Sequence, residues 1–529
     1  MILVWKDSLG VAGAPEIHSN PSVSVASKVA VHRLIAVPHA IRLAVGKEFE
    51  NRGNRRRSGI RRKPDSGRET DAVAHGDENV LEDRDLAGEG IHSFHEPGYS
   101  IYRRQQSTVR RKKVAVVFPT AWDEKHFRSG GAFEERFDVE LTRPFDHECR
   151  WDFDVLGFIE DQVDAGKDLD GVFSSSDYPG ATLAGAISQR LGLPGSPPSR
   201  LLASSHKYYS RIAQRQAVPD STPWFQLLDP ERPRGGVPEL HFPCFVKPVK
   251  GAFSVMSQRL DSWEDLEAFL SKPSLAEFLV HYVFMFNRLV RGLTDFDLDG
   301  GYFLAEDLLK GRQVTVEGCA TGDSVEILGI VDSVRHARTR SFVRFDYPSS
   351  LSRRVQARMR EVAVSVVRSL GLKHTLFNIE MMYDLRRDRV FIVELNPRMC
   401  GQFADLYEKV DGRSGYDVAL ALAVGDPVPE KRPRTGFRVA ASFPLRIFEP
   451  ARVVEAPSAE QIAEIERRFE GTRIWSETAK GDRLEDFETL EDGRSFRYAV
   501  VNLAAEDRDS LFRRFEEVTS ALDYRFAGL

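Results

Sequence analysis

Hydrophobic and polar positions along the chain divide it into an amino-terminal segment without periodicity and a long remainder with clear periods. From Lys113 onward, Val114-Ala115-Val116-Val117-Phe118 forms a continuous apolar run stopped by Pro119, the pattern of a strand buried on both faces. Asp170–Ser175 repeats it, helical spacing covers Gly157–Ala165, and Pro179–Leu191 predicts a helix ending at Gly192. This alternation predicts an open α/β layer over residues 113–197. Further on, a helix is expected at Lys207–Gln216, strands at Phe242–Lys247 and Val255–Leu260, and a helix capped by Ser262. A strand-rich stretch with a long helix at Ser350–Leu370 follows, and the end of the chain reads as α+β, closing on an amphipathic helix at Arg508–Leu522. The expected segments are 1–112, 113–197, 198–291, 292–430 and 431–529.

Residues 1–112 carry an arginine-dense block (51–68) and then an acidic one (69–89), neither with apolar periodicity. Such a segment buries too little surface to offset ordering entropy, so it is expected to be mostly disordered. The 529-residue chain has 42% hydrophobic and 29% charged residues and a net charge of −5, which favours a soluble protein over a nucleic-acid binder. No apolar run is long enough to span a bilayer and no secretory signal is visible, so a cytoplasmic location is expected. Cys149, Cys244, Cys319 and Cys400 fit neither a zinc spacing nor a disulfide framework.

The densest chemistry lies in two apolar runs flanking a polar loop, residues 377–384 and 390–398. With the turn near Arg387, they form a hairpin that sets Glu380 across from Glu394 and Met382 across from Ile392, with Asn396 on the acidic face. Ile379, Met381, Phe391, Val393 and Leu395 fall on the opposite, core face. Like charges opposed in a sheet are destabilising without compensation, and a hard cation with oxygen ligands supplies it. The alternative is an edge hairpin with solvated glutamates.

Glu394-Leu395-Asn396-Pro397-Arg398 with Gly401 resembles the ATP-grasp signature, and Glu380 matches that family's other metal-binding acid. Phe245-Val246-Lys247-Pro248, the loop Lys250–Ser254, the hinge-like Ala305–Leu309 with Gly311, and Lys207 follow in the same order as in the family. The resemblance implies an α/β and α+β multidomain chain: an ATP-grasp fold with an N-terminal open α/β (pre-ATP-grasp) domain and a C-terminal α+β extension. It implies a carboxylate–amine ligase that consumes ATP with Mg2+, one or two ions, Mn2+ being an alternative. Glu380, Glu394 and Asn396 are the implied metal ligands. Lys207, Lys247, Gly251 and Ser254 are implied to meet phosphates, Glu306, Asp307 and Leu308 the adenine, and Arg398 with Asn396 the reacting group. Gln313 stands where an acid often contacts the ribose, and Phe253 and Met399-Cys400 replace the usual small residues. Small-molecule carboxylate and amine partners are implied, without membrane or specific nucleic acid; a homodimer is left open. Biotin-carboxylase-like activation of bicarbonate and a nucleotide-binding regulatory module without turnover are the alternatives. Arg335, His336, Arg338, Arg340 and Arg344 are candidates for gripping an anionic substrate, and Asp123, Glu124 and His126 lie where open α/β sheets often bind ligands.

Overall fold

A computed structural model describes residues 110–142, 153–232, 240–251, 255–337, 339, 341–432, 436–486 and 495–528. The reading of residues 1–112 therefore lies, up to residue 109, outside the described residues, as do Cys149, Ser254, Arg338 and Arg340.

The first layer is a parallel sheet of β1 (Lys112–Val117), β2 (Phe137–Thr142) and β3 (Gly171–Phe173) in the order β2-β1-β3. Both faces of β1 are covered. Val114 and Val116 pack with Leu420 and Leu422, while Ala115 and Val117 pack with Ile159 and Leu183. That double burial explains the unbroken apolar run. Helices Val155–Ala165 and Gly180–Leu191 form as expected, the second ending on Gly192 in the left-handed conformation. β2 was not anticipated. As an edge strand, its Asp138 and Glu140 alternate with Val139 and Leu141, so it lacks the all-apolar signal of β1.

Next comes an antiparallel sheet of β4 (Phe225–Leu228), β5 (Cys244–Pro248), β6 (Gln258–Leu260) and β7 (Phe303–Asp307), ordered β4-β7-β5-β6. β6 is shorter than expected because Val255 and Met256 sit in a turn, Met256 at φ +51°. Ser262 caps the following helix by accepting from the Asp265 amide. The buried Cys244 and Cys319 have thiols that burial pushes up to about 11 and about 12, so they pack as apolar residues.

The largest sheet comprises β8 (Arg312–Ala320), β9 (Val325–Arg335), β10 (Phe342–Tyr347), β11 (Thr375–Asp384), β12 (Arg389–Asn396), β13 (Val439–Ile447), β15 (Arg473–Ser476) and β16 (Phe496–Ala505). Its order is β12-β11-β8-β9-β10-β13-β16-β15, and β14 (Arg452–Glu455) pairs separately with β17 (Arg525–Ala527). The β10–β13 ladder carries the sheet across residue 430, where a segment boundary was expected. Helix Arg353–Leu370 lies on this sheet, buries Val355, Met359, Ala363, Val366, Val367 and Leu370 at helical spacing, and closes on Gly371 at φ +70°.

Candidate active site

The hairpin β11–β12 sets Glu380 opposite Glu394 and Asn378 opposite Asn396, as the acid-pair reading requires. Beyond the pair, the register departs from expectation: Met381 faces Ile392 and Met382 faces Phe391. Val393 is the extra residue of a bulge, so Ile392 and Val390, rather than Phe391 and Val393, join Ile379, Met381 and Leu395 in the core cluster. The bulge has a use. The Val393 carbonyl accepts from Arg211 Nη2 at 2.8 Å and from Lys247 Nζ at 3.2 Å, joining the edge of the large sheet to the smaller one.

Around Val393, Glu306 accepts from Arg211 Nε at 2.6 Å through one oxygen and pairs with Lys247 Nζ at 2.7 Å through the other. Burial alone raises the Glu306 carboxyl, but the two cations outweigh it and hold it below its ordinary value. Burial likewise lowers the Lys247 ammonium, against which the charge of Glu306 acts. Arg211 is four residues beyond Lys207 on helix Lys207–Ala217, so both reach the same side. Sequence reasoning missed Arg211; that spacing from Lys207 was the available signal.

Lys207 Nζ lies 3.0 Å from Glu394 Oε1 and donates to the Gly251 carbonyl at 2.7 Å, tying the acidic hairpin to Gly251. Asp307, the exposed last residue of β7, donates its backbone N–H to the Trp224 carbonyl, and Leu308 beside it is half-buried. At Gly311 the chain turns at φ +142°, and an added Cβ would lie 2.1 Å from the Tyr383 carbonyl, so only glycine fits.

Glu380 is raised above the ordinary carboxylate range, first by burial and then by the charge of Glu394. Its Oε2 accepts from the Gln313 side-chain amide at 2.8 Å, and Gln313 Oε1 accepts from Arg335. Gln313 thus serves the acid pair. Asn396 is buried beside Glu394, and the half-buried Arg398 donates to the Met399 carbonyl at 3.3 Å. Arg398 Nε lies 3.9 Å from Asp177 Oδ1, while Lys250 Nζ pairs with Asp177 Oδ2 at 3.2 Å. Burial raises Asp177, but Lys250 and Arg398 outweigh it and hold the carboxyl at about 2. Asp177 too was missed, though it follows the carboxyl end of β3, where such sheets place ligand-binding groups.

That same rule pointed instead to Asp123, Glu124 and His126 after β1. Asp123 is fully buried, accepting from the Thr120 amide at 2.5 Å and Ser175 Oγ at 2.6 Å. His126 is stacked on Tyr416 at 4.1 Å, and burial lowers its imidazole to about 4. Both serve packing. Arg344 bonds Asp346 and lies over Phe512, away from the acid pair's partners.

Comparison with known proteins bears on this arrangement. Residues 240–405 match the family profile of the ATP-grasp domain, a span that includes Lys247, Glu306, Glu380, Glu394 and Arg398. The chain carries an ATP-grasp domain. A curated relative, urea amidolyase of Saccharomyces cerevisiae, is 26% identical over 249 residues, 46% of this chain but only 13% of that protein. Among solved structures, an L-amino acid ligase from Bacillus licheniformis is similar in fold at a TM-score of 0.60 and 16% identity, covering 79% of this chain and 99% of that one. A biotin carboxylase from Campylobacter jejuni gives 0.52 and 13%, over 79% and 92%. These likenesses extend the ATP-grasp fold well beyond the matched domain. Among the described residues, no helix is long and apolar enough to cross a membrane.

Proposed function

We propose that this chain is an ATP-dependent carboxylate–amine ligase: it activates a small-molecule carboxylate as an acyl-phosphate, releasing ADP, and joins it to an amine. The observation that carries this reading is the opposed pair Glu380 and Glu394, with Lys207, Lys247 and Arg398 grouped about it.

The donor set fits a hard divalent cation. Two carboxylates and the Asn396 amide offer oxygen ligands, and the Glu380 carboxyl is raised first by burial and then by the charge of Glu394, a repulsion that a cation would relieve. One or two Mg2+ ions, or Mn2+, held by Glu380, Glu394 and Asn396 would supply charge neutralisation on ATP phosphates. Gln313 keeps the Glu380 carboxylate turned toward that position. Lys207 and Lys247 meet the phosphates, and their pairing with Glu394 and Glu306 fixes each ammonium before the nucleotide arrives. The Gly251 amide lies where it could meet the phosphates, while Asp307 and Leu308 border the adenine and Glu306, held by Arg211 and Lys247, braces that edge. Arg398 steadies the carboxylate and then the acyl-phosphate by charge and a forked geometry.

Incubation with Mg-ATP, pools of carboxylates and hydroxylamine tests the reading. Hydroxamate with ADP is the expected product, and splitting the active pool names the acid. Hydroxamate with AMP would mean adenylation and refute the mechanism. Turnover that requires bicarbonate and biotin would support the carboxylase-like alternative.

A further inference from the structure

Asp177 joins two cations from different parts of the chain, and its place is not explained by the first layer's own packing. It lies in the loop between β3 and helix Gly180–Leu191, yet its partners are Lys250, just after β5, and Arg398, just after β12. The Lys250 side chain is only 3% exposed and its ammonium faces the rings of Tyr178 and Phe286 at 5.1 and 5.7 Å. A buried ammonium needs a counter-ion, and Asp177 supplies it. Oδ2 is bonded to Lys250, but Oδ1, buried and 3.9 Å from Arg398 Nε, accepts no hydrogen bond from the described residues. That oxygen keeps its lone pairs for the guanidinium and lies about 1 Å beyond ordinary hydrogen-bond length.

Gly251 follows Lys250 directly, so whatever fixes Lys250 fixes Gly251. Lys207 braces Gly251 from the other side, through the Gly251 carbonyl and Glu394. Four segments distant in sequence thus meet in three ion pairs. The brace at Lys207 ties Gly251 to the acid pair; the brace at Asp177 ties Lys250 to Arg398.

We propose that Asp177 is a positioning residue that sets Arg398 against Lys250 and Gly251, so that the activated carboxylate is held while the amine attacks. This rests on the ligase reading above. Asp177 touches no reacting atom in this account. Its removal should therefore let Arg398 turn away and let water intercept the acyl-phosphate, so that ADP formation outruns product.

The test measures hydroxamate formed per ADP released. Asp177→Asn, which keeps the shape and removes the charge, is expected to lower that ratio by roughly tenfold while leaving the KM for ATP within about threefold. Asp177→Glu should recover part of the ratio, as a merely structural role at this site would not. A wild-type ratio in Asp177→Asn would overturn the proposal. Failure of the ligase reading is distinguishable, because wild-type protein would then give no hydroxamate with ADP. Thermal unfolding of Asp177→Asn, Lys250→Met and the double variant judges the clamp without turnover: the double variant should lose no more than Lys250→Met alone, whereas additive losses would refute the coupling.

Discussion

Glu306 and Glu380 sit on neighbouring sheets of one site, and their surroundings push them in opposite directions. Glu306 is charge-complete: Arg211 and Lys247 each take one of its oxygens, and its carboxyl is held low. Glu380 is bonded by a neutral amide and faces another acid, so burial, with the charge of Glu394 added to it, holds its carboxyl high. The first arrangement is a joint, locking the small sheet to the edge of the large one through the Val393 carbonyl. The second is, in the proposed function, a donor set whose charge a bound cation would balance. Burial by itself does not separate a structural acid from a binding acid; the sign of the neighbouring charges does.

Removing a carboxylate from the donor set should have the largest effect. Glu394→Gln is expected to lower ligase turnover by roughly 1,000-fold, about 4 kcal/mol of transition-state stabilisation, with the fold retained. Steady-state kinetics and circular dichroism check both halves, and unchanged turnover would break the comparison at its acidic end. On the other side, Arg211→Met leaves Glu306 with one cation and should cost about 3 kcal/mol of stability by denaturant unfolding. A stability change within experimental error would mean that Glu306 is not a structural joint.

Glu317 sharpens the contrast by pH. It is buried on β8, accepts from the Cys400 amide, and burial pushes it up to about 7. A raised carboxyl binds its proton more tightly in the folded state, so it lowers stability as pH rises from about 4.5 to about 7 and costs nothing more beyond. Glu317→Gln should thus match wild type near pH 4 and gain up to roughly 3 kcal/mol by pH 8 in thermal melts. A gain that is equal at both pH values would remove the titration from the account. Leu385, at the exposed tip of the hairpin, is the control: Leu385→Ser should change neither turnover nor stability by more than about 0.5 kcal/mol.

The pattern of the sequence made the central strands legible because burial on two faces leaves unbroken apolar runs, as in β1. It made the acid pair legible because period-2 alternation carries Glu380 and Glu394 to one face. The bulge at Val393 was invisible, since an extra residue in a strand leaves no mark in composition, and it turned Phe391, still buried, and Val393 away from the core cluster that Ile379 and Met381 join. β2 was obscured by its polar face at the sheet edge. Asp177 and Arg211 were missed for another reason: each works through a partner more than 70 residues away in sequence, at Lys250 and Glu306, which is tertiary information. Gln313 was read as a departure at the ribose, and its bond to Glu380 crosses diagonally between β8 and β11, a contact that depends on sheet order.

The most direct measurement of the central claim follows oxygen. Once the trap has named the acid, the reaction is run with that acid labelled with oxygen-18 in its carboxyl group, and the released phosphate is read by phosphorus NMR or mass spectrometry. Attack of the amine on an acyl-phosphate leaves one carboxyl oxygen on phosphorus, so one labelled oxygen is predicted in inorganic phosphate for each product formed. Label found in AMP, or inorganic phosphate carrying none, would contradict the account.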